Sequence, residues 1–78
     1  MGKFIATVRK EQGMTQEQLG RKIGVLGKSV SKWERGINAP DISLLEELSG
    51  VLNVSINELL KGERIGNYTE KIKKAGVK

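Results

Sequence analysis

Residues Met14 to Gly36 read MTQEQLGRKIGVLGKSVSKWERG, and no other stretch of the chain restricts its fold as tightly. Thr15 has the hydroxyl of a helix N-cap, and Gln18, three places on, can reach back to the Thr15 amide, so the two residues spell a capping box. Met14 and Leu19 flank that start where a hydrophobic staple would form. Leu19 and Ile23, four apart, give the helix one apolar stripe. Gly24 ends it, because the residue past a helix end often takes positive φ, which glycine adopts without a Cβ clash. Val25 turns inward as the chain reverses, and a second helix is predicted from Gly27 to Arg35, closed by Gly36. The expectation is two short helices joined by a tight turn.

The second of these helices has an unusual outward side. Val30 and Trp33, three apart, share a face and point toward a core. The opposite face then carries Gly27, Lys28, Ser31, Lys32 and Arg35, and the only acid in the helix is Glu34, toward the flank. A cationic face with short neighbours suits close approach to phosphates and base edges. Three cations taken alone would describe an ordinary solvated face; the turn that precedes them makes the difference.

Other helices are predicted on both sides. Phe4, Ile5 and Val8 form a stripe from Gly2 to Glu11, stopped by Gly13. After Gly36 the segment INAP is irregular, since Pro40 disfavours helix at Ala39. Asp41 caps a fourth helix to Leu52, whose apolar residues Ile42, Leu44, Leu45, Leu48, Val51 and Leu52 are too many for one face. That breadth points to a central position. Asn53 suits a left-handed helix end. Ser55 and Glu58 spell a second capping box, with Val54 and Leu59 as staple, and a fifth helix runs from Ile56 to Lys61 and ends at Gly62. The expected class is all-α, five short helices in residues 1–62.

Residues 63–78 form a basic C-terminal segment in which Tyr68, Ile72 and Ala75 fall at helical spacing and Asn67 and Glu70 could start a helix. About eight residues make a marginal helix alone. A tail, an arm along phosphates, a dimerisation segment and a lead into a further domain all stay open.

At 78 residues the chain suits one domain and buries only about 60–65% of its unfolded surface. With no cysteine and no histidine, it lacks the residues for disulfides, thiolate or imidazole metal sites, and most nucleophilic catalysis; no cofactor is expected. No run of 18 apolar residues and no signal-peptide pattern is present, so a cytoplasmic location is the expectation. The net charge of +5 is unevenly spread: +2 over residues 1–13, +3 over 14–36, −4 over 37–60 and +4 over 61–78. Such a molecule is polar, with the 37–60 segment turned away from a polyanion and the rest toward it.

Residues 5–60, with IATVRKEQGMTQEQLGRKIGV, SVSKWERG and NAPDISLLEELSGVLNVSINELL, resemble the lambda-repressor and Cro-like helix-turn-helix family. The resemblance implies a compact five-helix domain that binds double-stranded DNA and regulates transcription, as a repressor, with the helix from Gly27 to Arg35 in the major groove. By position, Gly27, Lys28, Ser31 and Lys32 would meet bases, while Thr15, Gln16, Ser29, Arg35 and Asn38 would meet phosphates. Arg9 would pair with Glu34, tying the first helix to the third. A lysine at 28 or 32 can donate to guanine O6 and N7, or clamp a phosphate instead. Because one such domain spans few base pairs, a homodimer on a pseudo-palindrome is implied, its reading helices roughly 34 Å apart. Val54, Ile56 and Leu60 are candidates for the dimer interface, or equally for core.

Three residues depart from the family pattern. Gly20 stands where an alanine usually packs the helices together, at a cost of about 1 kcal/mol in helix propensity. Leu26 stands where a serine or threonine normally caps the third helix, and could cover core or touch a thymine methyl. Gly27 offers no side chain at a base-reading place. An enzyme is not expected: Gly27-Lys28-Ser29 lacks the upstream glycine of a phosphate-binding loop, and Ser29-x-x-Lys32 lacks its companion motifs. The alternative is an antitoxin-like or adaptor module that binds a protein partner through the same surface.

Overall fold

Five helices follow the order α1 (Gly2–Glu11), α2 (Gln16–Ile23), α3 (Gly27–Glu34), α4 (Ile42–Leu52) and α5 (Ile56–Lys61) in the computed structural model, which describes residues 1–64. The expectations about residues 65–78 lie outside the described residues. Both capping boxes form: the Thr15 hydroxyl accepts from the Gln18 amide at 3.0 Å and Gln18 answers the Thr15 amide at 2.9 Å. Ser55 and Glu58 repeat this at the head of α5, and Asp41 caps α4 by accepting from the Ser43 amide at 3.1 Å.

All five helices stop in one way. Gly13, Gly24, Gly36, Asn53 and Gly62 have φ between 58° and 81°. The amide after each turns back to a carbonyl five residues earlier: Met14 to Arg9, Val25 to Gly20, Ile37 to Lys32, Val54 to Ser49 and Glu63 to Glu58. This is the Schellman ending, which satisfies carbonyls that a helix end leaves without donors. Met14, Val25 and Val54, the residues just past three of these stops, fold back onto the core. Each stop therefore both ends a helix and adds an apolar residue to the interior.

The core joins Phe4, Ile5 and Val8 of α1, Leu19 and Ile23 of α2, Val30 and Trp33 of α3, Leu45, Leu48 and Leu52 of α4, and Leu59 of α5. α2 packs most extensively on α3, α1 also lies on α3, and α4 bridges α2, α1 and α5. On α4, Ile42 departs from its expected apolar stripe: it sits in the first turn, 82% exposed, while Leu45, Leu48 and Leu52 carry the burial. Val54 and Ile56 are half-buried against the core, whereas Leu60 is 57% exposed.

Two glycines are fixed by close approach. A Cβ on Gly2 would lie 2.2 Å from the Trp33 carbonyl oxygen, so only glycine lets the head of α1 meet the end of α3. A Cβ on Gly20 would lie 2.6 Å from the Val25 carbonyl oxygen. Gly20, expected at a helix-packing position at some cost in helix propensity, here brings the α2–α3 turn against α2 more closely than an alanine would allow.

Candidate nucleic-acid interface

Everything on α3 is set by the burial of Val30 and Trp33, which rotates Lys28, Lys32 and Arg35 into solvent, with Ser31 half-buried between them. Ser29 is half-buried at the flank. Arg35 lies back along the helix, its Nε donating to the Ser31 carbonyl at 3.4 Å, which leaves its terminal nitrogens outward. Asn38 is exposed on the loop after α3 and shares a shallow groove with Trp33, Met1 and Gly2.

Gly27 departs from its expected outward place. A Cβ there would lie 3.1–3.2 Å from the backbone and Cγ of Glu17, so the missing side chain points at α2. Its glycine character lets the heads of α2 and α3 approach each other. Between these heads runs an open groove lined by Thr15, Gln16, Glu17, Leu26, Lys28 and Ser31, so one acidic residue stands among its polar walls. Leu26 precedes α3 in extended conformation, supplies no capping hydrogen bond and is 67% exposed. It does not cover the core.

The frame behind this face is an ion pair. Arg9 Nε meets Glu34 Oε2 at 2.6 Å and Arg9 Nη2 donates to Oε1 at 3.0 Å, a bidentate fork. Arg9 Nη1 donates to the Met14 carbonyl at 2.7 Å, and Gln16 Nε2 donates to Glu34 Oε1 at 3.0 Å. The two charged side chains are only 9% and 8% exposed, so this is a buried pair rather than a surface one. Burial alone would push the Glu34 carboxyl up. The hydrogen bonds from Arg9 and Gln16, with the nearby charges of Arg9 and Lys10, outweigh it and hold Glu34 below its ordinary value. The hydrogen bond to Glu34 raises Arg9 against the opposing effect of burial. Sequence reasoning paired Arg9 with Glu34 but missed Gln16 and the Met14 carbonyl. Gln16 was expected to hold phosphate, and its amide nitrogen is partly committed here.

Asp41 at the head of α4 and Glu46 and Glu47 on it are exposed, as are Lys28 and Lys32 on α3 and Arg35 at its end, and α3 does not pack substantially on α4. A polyanion is thus offered one cationic helix, the Thr15-capped head of α2 beside it, and a groove between them. Among the described residues no group of acidic side chains could hold a metal ion, and no helix is long and apolar enough to cross a membrane.

Comparison with known proteins agrees with this geometry. A helix-turn-helix family model matches residues 5–59. The transcriptional activator BcrR of Enterococcus faecalis is 34% identical over 71 residues, 91% of this chain and 35% of that protein. The chain spans about half or less of the length of curated relatives such as this one. Among solved structures, the P22 c2 repressor in complex with a synthetic operator superposes with a TM-score of 0.77 at 38% identity, over 81% of this chain and 96% of that one. SinR of Bacillus subtilis in complex with DNA gives 0.69 at 38% identity, over 76% and 98%. The chain therefore belongs to the helix-turn-helix family in its lambda-repressor and Cro-like form, the DNA-binding domain of transcription regulators.

Proposed function

We propose that this domain binds a pseudo-palindromic operator as a homodimer, inserts α3 into the major groove and represses transcription. One observation carries the reading: α3 buries Val30 and Trp33 and thereby commits Lys28, Ser31, Lys32 and Arg35 to a single outward face free of acid. Lys28, Ser31 and Lys32 then meet base edges, with Gly27 contributing backbone only. Thr15, Gln16 and the free amides at the head of α2 hold one phosphate run, and Ser29, Arg35 and Asn38 hold the other. The likeness to the P22 c2 repressor, solved on a synthetic operator, supports operator binding and the repressor role. For the dimer, Leu60 is exposed on α5, and it would be the centre of a two-fold contact with Val54 and Ile56 beside it.

The test is binding to duplexes selected from a random pool, followed by anisotropy across a salt series. Affinity should fall steeply with salt, with a log–log slope near −0.9 for each phosphate neutralised. A flat response would refute the reading. The exposed Leu26 favours a second one, in which the same surface docks a protein. An apolar contact of that kind would barely respond to salt, so one titration separates the two.

A further inference from the structure

We propose that Leu26 is itself a base-reading residue, making apolar contact with the C5-methyl of a thymine in the major groove. The inference rests on the DNA-binding reading above and names a base that the site would prefer. Leu26 is 67% exposed, so its apolar surface does not serve the core. It lines the groove between the heads of α2 and α3, together with Glu17, Lys28 and Ser31. The backbone that carries it is closely packed. The absent Cβ of Gly20 lets the backbone of residues 25 and 26 sit against α2, with the Leu26 carbonyl carbon 3.1 Å from where that Cβ would be. On its other side, Gly27 packs against Glu17 with the same economy. Two glycines thus clamp the backbone of the turn on either side of residue 26.

The chemistry selects the ligand. A leucine offers neither donor nor charge, so it gains nothing from phosphate or from most base edges. The thymine methyl is the one apolar group that an unmodified major groove presents. A protein partner would need a broad apolar patch, yet the other exposed large hydrophobic residues described, Ile37, Ile42 and Leu60, lie on the α3–α4 loop, α4 and α5. Leu26 is the one exposed large hydrophobic residue of this groove among those described, and the charged residues lining it are Glu17 and Lys28. An isolated methyl set in an anionic polymer is the complement of an isolated leucine at the edge of a cationic helix. The three departures at 20, 26 and 27 become one device, in which small residues place a large one.

The experiment uses the full chain and its best duplex from random selection, with each thymine replaced in turn by uracil, which removes only the methyl. Wild type should lose about three- to fivefold in affinity at one position of the half-site, the worth of one buried methyl. Leu26→Ser should bind more weakly and be indifferent to thymine or uracil at that position. Leu26→Met should retain the sensitivity, and all three proteins should share one salt slope, since no charge changes. Equal sensitivity in wild type and Leu26→Ser, or insensitivity of both, overturns the proposal while leaving DNA binding intact. Failure of the wild type to select any duplex overturns the DNA-binding reading and this inference with it. A protein contact at the surface would show as a Leu26→Ser defect confined to that partner, with unchanged duplex affinity, and also overturns it.

Discussion

Replacing Arg9 with methionine keeps an unbranched side chain at that place on α1 and removes three hydrogen bonds, two to Glu34 and one to the Met14 carbonyl. Glu34 is left 8% exposed with Gln16 as its remaining side-chain donor. Removing one partner of a buried pair typically costs about 3–5 kcal/mol, because the other charge is stranded. Gln16 offsets part of this, so about 3 kcal/mol is expected. A domain of this size has about 4–12 kcal/mol in total, so Arg9→Met forfeits a large share of it. In urea, with a slope of about 1 kcal/mol/M for a small protein, the midpoint should move by about 3 M, or the variant should not fold in buffer. Glu34→Met in the Arg9→Met background should restore much of the loss, because an apolar pair of similar volume strands no charge. The measurement is a double-mutant cycle by circular dichroism at 222 nm. Losses that add to within about 0.5 kcal/mol would mean the two residues are not coupled, and would refute the assignment of this pair as the frame of α3.

Four other outcomes are expected. Glu34 gives up its proton more readily when folded than when unfolded, so its contribution is present above the unfolded carboxylate value of about 4.3 and disappears as pH falls through the lowered folded value; thermal melts from pH 6 to pH 2 should show a loss below pH 5 that Glu34→Gln reduces. Trp33→Ala should cost about 3–5 kcal/mol in urea unfolding, since its side chain is in the core, and an unchanged midpoint would place that face of α3 elsewhere. Gly2→Ala should destabilise by about 1–3 kcal/mol despite alanine's better helix propensity, because its Cβ meets a backbone oxygen that no rotamer can move; a rise in melting temperature would contradict that approach. Lys32→Ala should weaken selected-duplex binding and relax the preference at one base pair, while leaving stability within about 0.5 kcal/mol; unchanged affinity would remove the residue from the site.

Most of this architecture was legible because the chain marks its own boundaries. Thr15-Gln18 and Ser55-Glu58 announce starts; Gly13, Gly24, Gly36, Asn53 and Gly62 announce stops; the structure obeys all of them. Caps are local signals, settled by residues three to five apart, so a sequence can spell them. Close approach between distant segments is not local. Nothing near Gly2 hints that it abuts the Trp33 carbonyl, and nothing near Gly20 hints at the Val25 carbonyl. Ile42 misled for a related reason: a stripe read from one helix cannot say which of its turns lies beyond the neighbouring helices. Gln16 could have been suspected, since an amide in the first turn of α2 lies next to the carboxylate that Arg9 was expected to hold. At the site, the outward set Lys28, Ser31, Lys32 and Arg35 follows from placing Val30 and Trp33 inward, whereas the inward direction of Gly27 needed the position of Glu17.

These observations divide the labour of the domain sharply. Holding α3 in place falls to groups behind it: the Arg9–Glu34–Gln16 cluster fastens its end to α1 and α2, Val30 and Trp33 fasten its middle, and Gly20 and Gly27 seat its beginning. Lys28 and Lys32 are exposed, with no protein hydrogen bond or ion pair among those described, and Arg35 holds only a carbonyl of its own helix. A face that carries no structural duty can change its residues without unfolding the rest, which is how one scaffold can serve many operators. The same division explains why Leu26 survives as an exposed leucine. The turn is held by its glycine neighbours and residue 26 makes no capping hydrogen bond, so the proposed thymine contact draws on a side chain with no duty in the fold.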